Sequence, residues 1–214
     1  MAPMLTAFAA PTGGAAFLGT ARRKTMRKSL VTLALLGIAG TAAARPDVEV
    51  LARTCNNCHG VNGVSVGASM PSIGGLPQDY LRNIMKQWKY GERDAITMSR
   101  IVKGFSDDEI DALAAYFARQ RWVASKQPVA GAALAKGKSV VSGNCEDCHG
   151  LTGSDPDVDA PKLNGQWSKY MELELEKYRS KEFKMPHRKM TKAAHAMKPA
   201  DVSVAARYFS AQSK

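Results

Sequence analysis

All four cysteines of the chain stand in two copies of one pentapeptide, Cys55-Asn56-Asn57-Cys58-His59 and Cys145-Glu146-Asp147-Cys148-His149. The spacing C-x-x-C-H is the attachment sequence of c-type haem. Two thiols two residues apart on a helical turn reach the two vinyl groups of one porphyrin and form thioethers, and the next imidazole then faces the iron from the same side. Cys55, Cys58, Cys145 and Cys148 are thus the expected covalent attachment points of two haem c groups, with His59 and His149 as proximal iron ligands. A four-cysteine zinc site would place its pairs about 15–20 residues apart, whereas 86 residues separate Cys58 from Cys145. Redox-active C-x-x-C pairs require βαβ units, and no alternating strands surround these. Structural disulfides suit an oxidising compartment but give no reason for a histidine after each pair.

Sliding the chain by 90 residues superposes Cys55 on Cys145 and carries much else with it. Gly60 meets Gly150, Gly63 meets Gly153, Pro71 meets Pro161, Gly75 meets Gly165 and Tyr80 meets Tyr170. Further on the offset becomes 92, where Tyr116-Phe117 meets Tyr208-Phe209 and Gln120 meets Gln212. Two residues have therefore been inserted between Tyr170 and the last helix. Such self-similarity marks two copies of one structural unit of roughly 80 residues. The copies are residues 45–122 and 134–214, joined by a linker at 123–133 that contains Pro128 and Gly131.

Each unit reads as helical, which makes the expected fold all-α. Ser106-Asp107-Asp108-Glu109 is a capping box, followed by Ile110, Leu113, Ala114 and Phe117 on one stripe. Val202, Ala205, Ala206 and Phe209 repeat that stripe. Middle helices are expected over Tyr80–Lys89 and Tyr170–Arg179, with a short helix leading into each haem motif. Units of this size bury a marginal core alone. The haem is therefore expected to be the hydrophobic centre, with folding dependent on it.

Residues 1–44 hold five basic residues and no acid. From Met26 the chain has a basic start, an apolar run from Leu30 and small residues ending at Ala44, the layout of a cleavable signal peptide. The unusual stretch before Met26 is read as pointing to a translation start there, with a long n-region as the alternative. The run Leu30–Ala44 is 15 residues long, short of the roughly 20 that span a bilayer. A periplasmic protein without a transmembrane anchor is therefore expected.

Leader removal also changes the charge. The whole chain carries 30 Lys+Arg against 19 Asp+Glu, a net +11. Without residues 1–44 the balance is 25 against 19, or +6, and four haem propionates lower it further. A nucleic-acid partner is therefore not expected. Residues 45–122 carry 10 basic against 9 acidic, and residues 123–214 carry 15 against 10. The excess lies in Lys177, Arg179, Lys181, Lys184, Arg188, Lys189 and Lys192. The plainer reading of that cluster is a solvated surface; the sharper one is a docking face for an acidic redox partner.

The remaining iron ligand decides whether a haem binds small molecules or only passes electrons. The first unit contains no histidine other than His59, so bis-histidine ligation there would need a residue of the other unit. Met98 falls on Met190 at the offset of 92, which assigns His59/Met98 and His149/Met190 to the two irons. Met70 faces Ala160 and Met85 faces Leu175, so neither repeats, and Met197 falls on Phe105 and reads as packing. His187, His195 and Met185 compete with Met190, because the two-residue insertion lies close to them. His/Met ligation fills both axial positions and raises the reduction potential, so electron transfer is expected and oxygen activation is not. Pro71 and Pro161 stand where a carbonyl can accept the proximal imidazole N–H; the alternative is that each simply turns the chain.

Beyond the pentapeptides, the sequence resembles the dihaem cytochrome subunit of flavocytochrome c sulfide dehydrogenase. The resemblance is carried by GVSVGASMPSI after the first motif, AITMSRIVKGFSDDEI around Met98, GQWSKYM (Gly165–Met171) and the basic stretch leading to His187-Arg188-Lys189-Met190. It implies two tandem class I cytochrome c domains, related by an approximate two-fold and each wrapped around one haem. Both irons would be ligated by His and Met. It also implies a heterodimer with an FAD-containing flavoprotein that oxidises sulfide and feeds electrons to the first haem. A downstream acceptor such as a small cytochrome would take them on. The chain itself would then be an electron-transfer subunit without catalytic residues. Free dihaem cytochromes of the c4 type, which deliver electrons to terminal oxidases, share the repeat and the P-x-L-x-G-Q motif (Pro161–Gln166). A haem enzyme such as a peroxidase or thiosulfate-oxidising cytochrome would instead need an open axial site.

Overall fold

A computed structural model describes residues 47–125 and 127–213. The predicted leader lies outside the described residues. Those residues are all helical apart from turns and loops, with no strand among them. The first half contains α1 (Val48–His59), α2 (Gln78–Lys89), α3 (Met98–Ile101) and α4 (Asp107–Ala118). The second contains α5 (Gly131–Asn144), α6 (Glu146–His149), α7 (Ser168–Arg179), α8 (Arg188–Ala196) and α9 (Pro199–Ser210). Among the described residues no helix is long and apolar enough to cross a membrane.

The start and stop signals are local. Asp47 accepts the N–H of Glu49 to begin α1, and Ser106 and Glu109 form the reciprocal capping box of α4. Pro199 occupies the first turn of α9, where its missing N–H costs nothing. Each haem motif ends at a glycine with positive φ, Gly60 at 75° and Gly150 at 70°. A Cβ on Gly60 would lie 1.9 Å from the Val64 carbonyl oxygen, so the sharp exit from the motif demands glycine there.

The two halves bury equivalent cores. In the first, α4 packs on α1 and α2, and Ala52, Leu76, Leu81, Leu113, Ala114 and Phe117 close the interior. In the second, α9 packs on α5 and α7 around Val141, Met171, Met197, Ala205, Ala206 and Phe209. The loops repeat as faithfully. Gly75 N–H donates to Phe117 O and Gly165 N–H to Phe209 O, both at 2.8 Å. The α5–α9 crossing is close enough that a Cβ on Gly137 would sit 2.5 Å from Tyr208 Cβ. Gly137→Ala is therefore expected to destabilise the second half by about 1–3 kcal/mol through overpacking. Differential scanning calorimetry of the holoprotein checks this.

The copies depart from one another in two places. The first haem motif is the last turn of one continuous 12-residue helix, α1. The second is split, because Cys145 leaves helical geometry at φ −126° after Gly143-Asn144, two poor helix formers. The two-residue insertion is absorbed before Met190. Met98 opens the short α3, whereas Met190 is the third residue of the nine-residue α8. There the His187 side chain accepts the Met190 N–H as the helix cap.

Equivalent residues meet where the halves touch. Asp94 and Lys184, 90 positions apart, bond reciprocally: Asp94 N–H to Lys184 O at 2.9 Å and Lys184 N–H to Asp94 Oδ2 at 2.6 Å. Tyr80 and Tyr170 likewise interact through their hydroxyls. Repeat-equivalent residues in mutual contact are the mark of an approximate two-fold. Away from that axis, the Gln166 amide grips Ser72 from both sides. Its Oε1 accepts the Ser72 N–H at 3.0 Å and its Nε2 donates to Ser72 O at 2.9 Å. Trp167 Nε1 donates to Ser65 O, and Trp122 Nε1 to Asn164 O.

The segment between the halves is not a free tether. Ser125 N–H and Oγ both donate to Gly165 O, and Gln127 Oε1 accepts from Ser168. Its C-terminal end is already helical, since α5 starts at Gly131.

Candidate haem-binding sites

Each motif presents its residues in the same way. His59 and His149 are buried, and among the described residues the four cysteines form no disulfide. His59 Nδ1 lies 2.9 Å from Pro71 O and His149 Nδ1 lies 3.1 Å from Pro161 O. A carbonyl only accepts, so Nδ1 carries the proton and donates in both rings. Burial holds both imidazoles below the ordinary histidine range, against the opposing pull of these carbonyl contacts. Each ring is therefore neutral at pH 7 with a free lone pair on Nε2, the state that ligates iron. Burial also pushes the Cys145 thiol up to about 11. No set of three or more His, Cys, Asp or Glu among the described residues is placed to hold a metal ion.

Around the second motif lies a cavity of about 290 Å³. Cys145, Cys148 and His149 line it together with Leu163, Met171, Leu175 and Phe209, a largely apolar wall. The Phe209 ring stands edge-on to His149 at 6.4 Å between centroids. Met190 lines the same cavity, as do His187 and Met197, whereas Met185 and His195 do not. The apolar wall beside two free thiols and a neutral imidazole fits a covalently attached porphyrin. In the first half, Met85 packs against the core, and Met98 is half-buried at the start of α3. Trp88 Nε1, in the same half, is a buried donor for which no protein acceptor is found.

The basic cluster divides. Arg179 donates to Ala194 O at 2.7 Å and Met197 O at 2.6 Å, closing the end of α8. Lys177 pairs with Glu174, and Lys184 Nζ donates to Gly91 O. Lys181, Arg188, Lys189 and Lys192 remain on the exposed surface. Reading the sequence did not single out Arg93, which is buried at the cavity rim. One basic residue five positions before Met98 carries no periodic signal.

Two helical units, each offering two thiols and a buried imidazole to a porphyrin, define a c-type cytochrome with two haems. Comparison with known proteins agrees. Residues 42–117 match the family model described as cytochrome c oxidase, cbb3-type, subunit III, and residues 134–211 match that of cytochrome c. Cytochrome c4 of Pseudomonas aeruginosa is 33% identical over 165 residues, covering 72% of this chain and 82% of that protein. The cytochrome subunit of sulfide dehydrogenase from Chlorobaculum tepidum is 34% identical over 88 residues, 39% of this chain and 79% of that protein. The crystal structure of reduced cytochrome c4 from Pseudomonas stutzeri shares the fold, with a TM-score of 0.66 at 23% identity. It covers 78% of this chain and all (100%) of that one. The chain belongs to the dihaem class I cytochromes c, and it carries two covalently bound haem c groups, one at each C-x-x-C-H motif. It is an electron carrier.

Proposed function

We propose that the chain is the haem subunit of a periplasmic flavocytochrome c: a sulfide-oxidising flavoprotein passes electrons to the first haem, and the second delivers them to a small cytochrome. Residues 1–44 serve as the cleaved export signal. His59 and Met98 ligate the first iron, and His149 and Met190 the second. Pro71 and Pro161 orient the proximal rings. The haems supply one-electron chemistry, and the chain holds and insulates them without catalytic residues of its own.

The observation that supports the partner is three exposed apolar side chains close in sequence to the first haem motif and Met98. Val66 is 90% exposed, and Val61 and Ile96 are each 69% exposed. Permanent interfaces are more apolar than transient ones, and a haem subunit held in a lasting complex needs such a face. The sequence resemblance adds to this, since AITMSRIVKGFS surrounds Met98. Val66→Asp is expected to weaken the complex at least tenfold while leaving the haem spectrum unchanged. Co-purification with the flavoprotein and sulfide-dependent haem reduction test the reading. A flavoprotein that neither binds this chain nor reduces it defeats it.

A second reading, a free carrier of the cytochrome c4 type that donates to a terminal oxidase, is favoured by one specific observation. The cytochrome c4 match runs through both halves, 72% of the chain, against 39% for the sulfide dehydrogenase subunit.

A further inference from the structure

Arg93 belongs to the first half, yet it lines the cavity of the second haem alongside Cys145, Cys148 and His149. It is only 5% exposed. Its guanidinium donates to Tyr178 Oη at 2.8 Å and to Glu174 Oε2 at 3.2 Å, and it lies 5.1 Å from the Tyr178 ring centroid. Glu174 is shared, because its other oxygen accepts from Lys177. Two cations thus converge on one carboxylate, leaving one positive charge in excess. A guanidinium has five N–H donors, and protein acceptors engage the two nitrogens Nη1 and Nη2 once each.

A buried cation without full compensation is unfavourable unless an anion completes it. Besides Arg93 and Glu174, the charged groups on the cavity wall are Asp159 and Lys189, both exposed to solvent. A c-type haem brings its own anions. Thioethers at Cys145 and Cys148 hold its vinyl side, and the two propionate carboxylates leave the opposite side of the ring.

We propose that Arg93 is the charge partner of the second haem's propionates, a positioning residue through which the first domain sets the potential of the haem in the other. This rests on the haem attached at Cys145 and Cys148 and is independent of which partner feeds the chain. A cation beside the propionates offsets negative charge that otherwise favours the ferric state, so its removal makes the second haem harder to reduce.

The test is a spectroelectrochemical titration of the dihaem protein, with the haems resolved by their methyl proton resonances. Arg93→Met is expected to lower the reduction equilibrium constant of the second haem at least tenfold, ~59 mV for one electron, and that of the first less than threefold. Arg93→Lys, which keeps the charge, is expected to restore most of the loss. Glu174→Gln, which removes the competing carboxylate, is expected to shift the second haem the other way. An unchanged second haem, an equal shift of both haems, or a loss that lysine does not recover overturns the proposal. Should Arg93→Met not accumulate with both haems, Glu174→Gln decides: a second-haem potential that fails to rise overturns it.

Discussion

Met190→Ala is expected to remove about half of the weak red absorption band that marks methionine bound to ferric haem, and to open the second iron to carbon monoxide. Loss of the thioether should also lower that haem's potential by roughly 0.1–0.3 V, within the ~0.8 V that axial ligands span. The reasoning is positional. Met190 sits in the first turn of α8, its N–H is held by His187, and its side chain shares a cavity with His149. Met185→Ala and His195→Ala should leave band and potential intact, since neither residue lines that cavity. His187→Ala removes a helix cap worth about 1 kcal/mol. It should lower stability while the band survives. If the band persists in Met190→Ala and vanishes in one of the others, the assignment of the second iron moves to that residue. Met98→Ala should abolish the other half of the band.

Gln166→Ala is expected to be the most damaging substitution at the contact between the halves. The side chain is 2% exposed, and its amide satisfies both the N–H and the carbonyl of Ser72. Alanine leaves both groups buried and unpaired, at about 1–3 kcal/mol each, so a loss of roughly 3 kcal/mol follows. Because the lost bonds join the two units, the loss should appear as uncoupling. Calorimetry should resolve two transitions, against the single transition expected of the native holoprotein. A single transition displaced as a whole would show that Gln166 supports one unit alone. Gln166→Glu tests the same contact more finely, since a carboxylate still accepts the Ser72 N–H but no longer donates to its carbonyl.

How legible this was depended on whether a feature repeats. The haem motifs, the capping box at Ser106 and the α4 and α9 stripes are local patterns, and they stand in the structure where the spacing puts them. Helices α2 and α7 begin two residues earlier than the apolar pattern suggests, at Gln78 and Ser168, because the chain enters them from the turns after Gly75 and Gly165. Pro71 and Pro161 repeat at equivalent places, which left open whether each turns the chain or accepts from the proximal ring, and in the structure both carbonyls lie at hydrogen-bond distance from the ring. What could not be read was everything that joins one copy to the other. Arg93 meets Glu174 across 81 positions and Gln166 meets Ser72 across 94, and neither pair repeats at the offset of the duplication. The basic cluster departs from its plainer reading, a solvated surface, at one clear place for a related reason: Arg179 looks like surface charge in one dimension, and the Ala194 and Met197 carbonyls hold it in three.

The grip of Gln166 on Ser72 also bears on the ancestry of the chain. At the duplication offset of 90, Gln166 corresponds to Leu76 and Ser72 to Lys162. Leu76 is a core residue of its own unit, so the bridge runs in one direction only and has no mirror image. A chain assembled from two first halves would set a leucine where the amide is needed. One assembled from two second halves would set a lysine where the serine stands. The duplicated units have thus ceased to be interchangeable, and exchange of one half between relatives should succeed only when the residues facing this bridge travel with it.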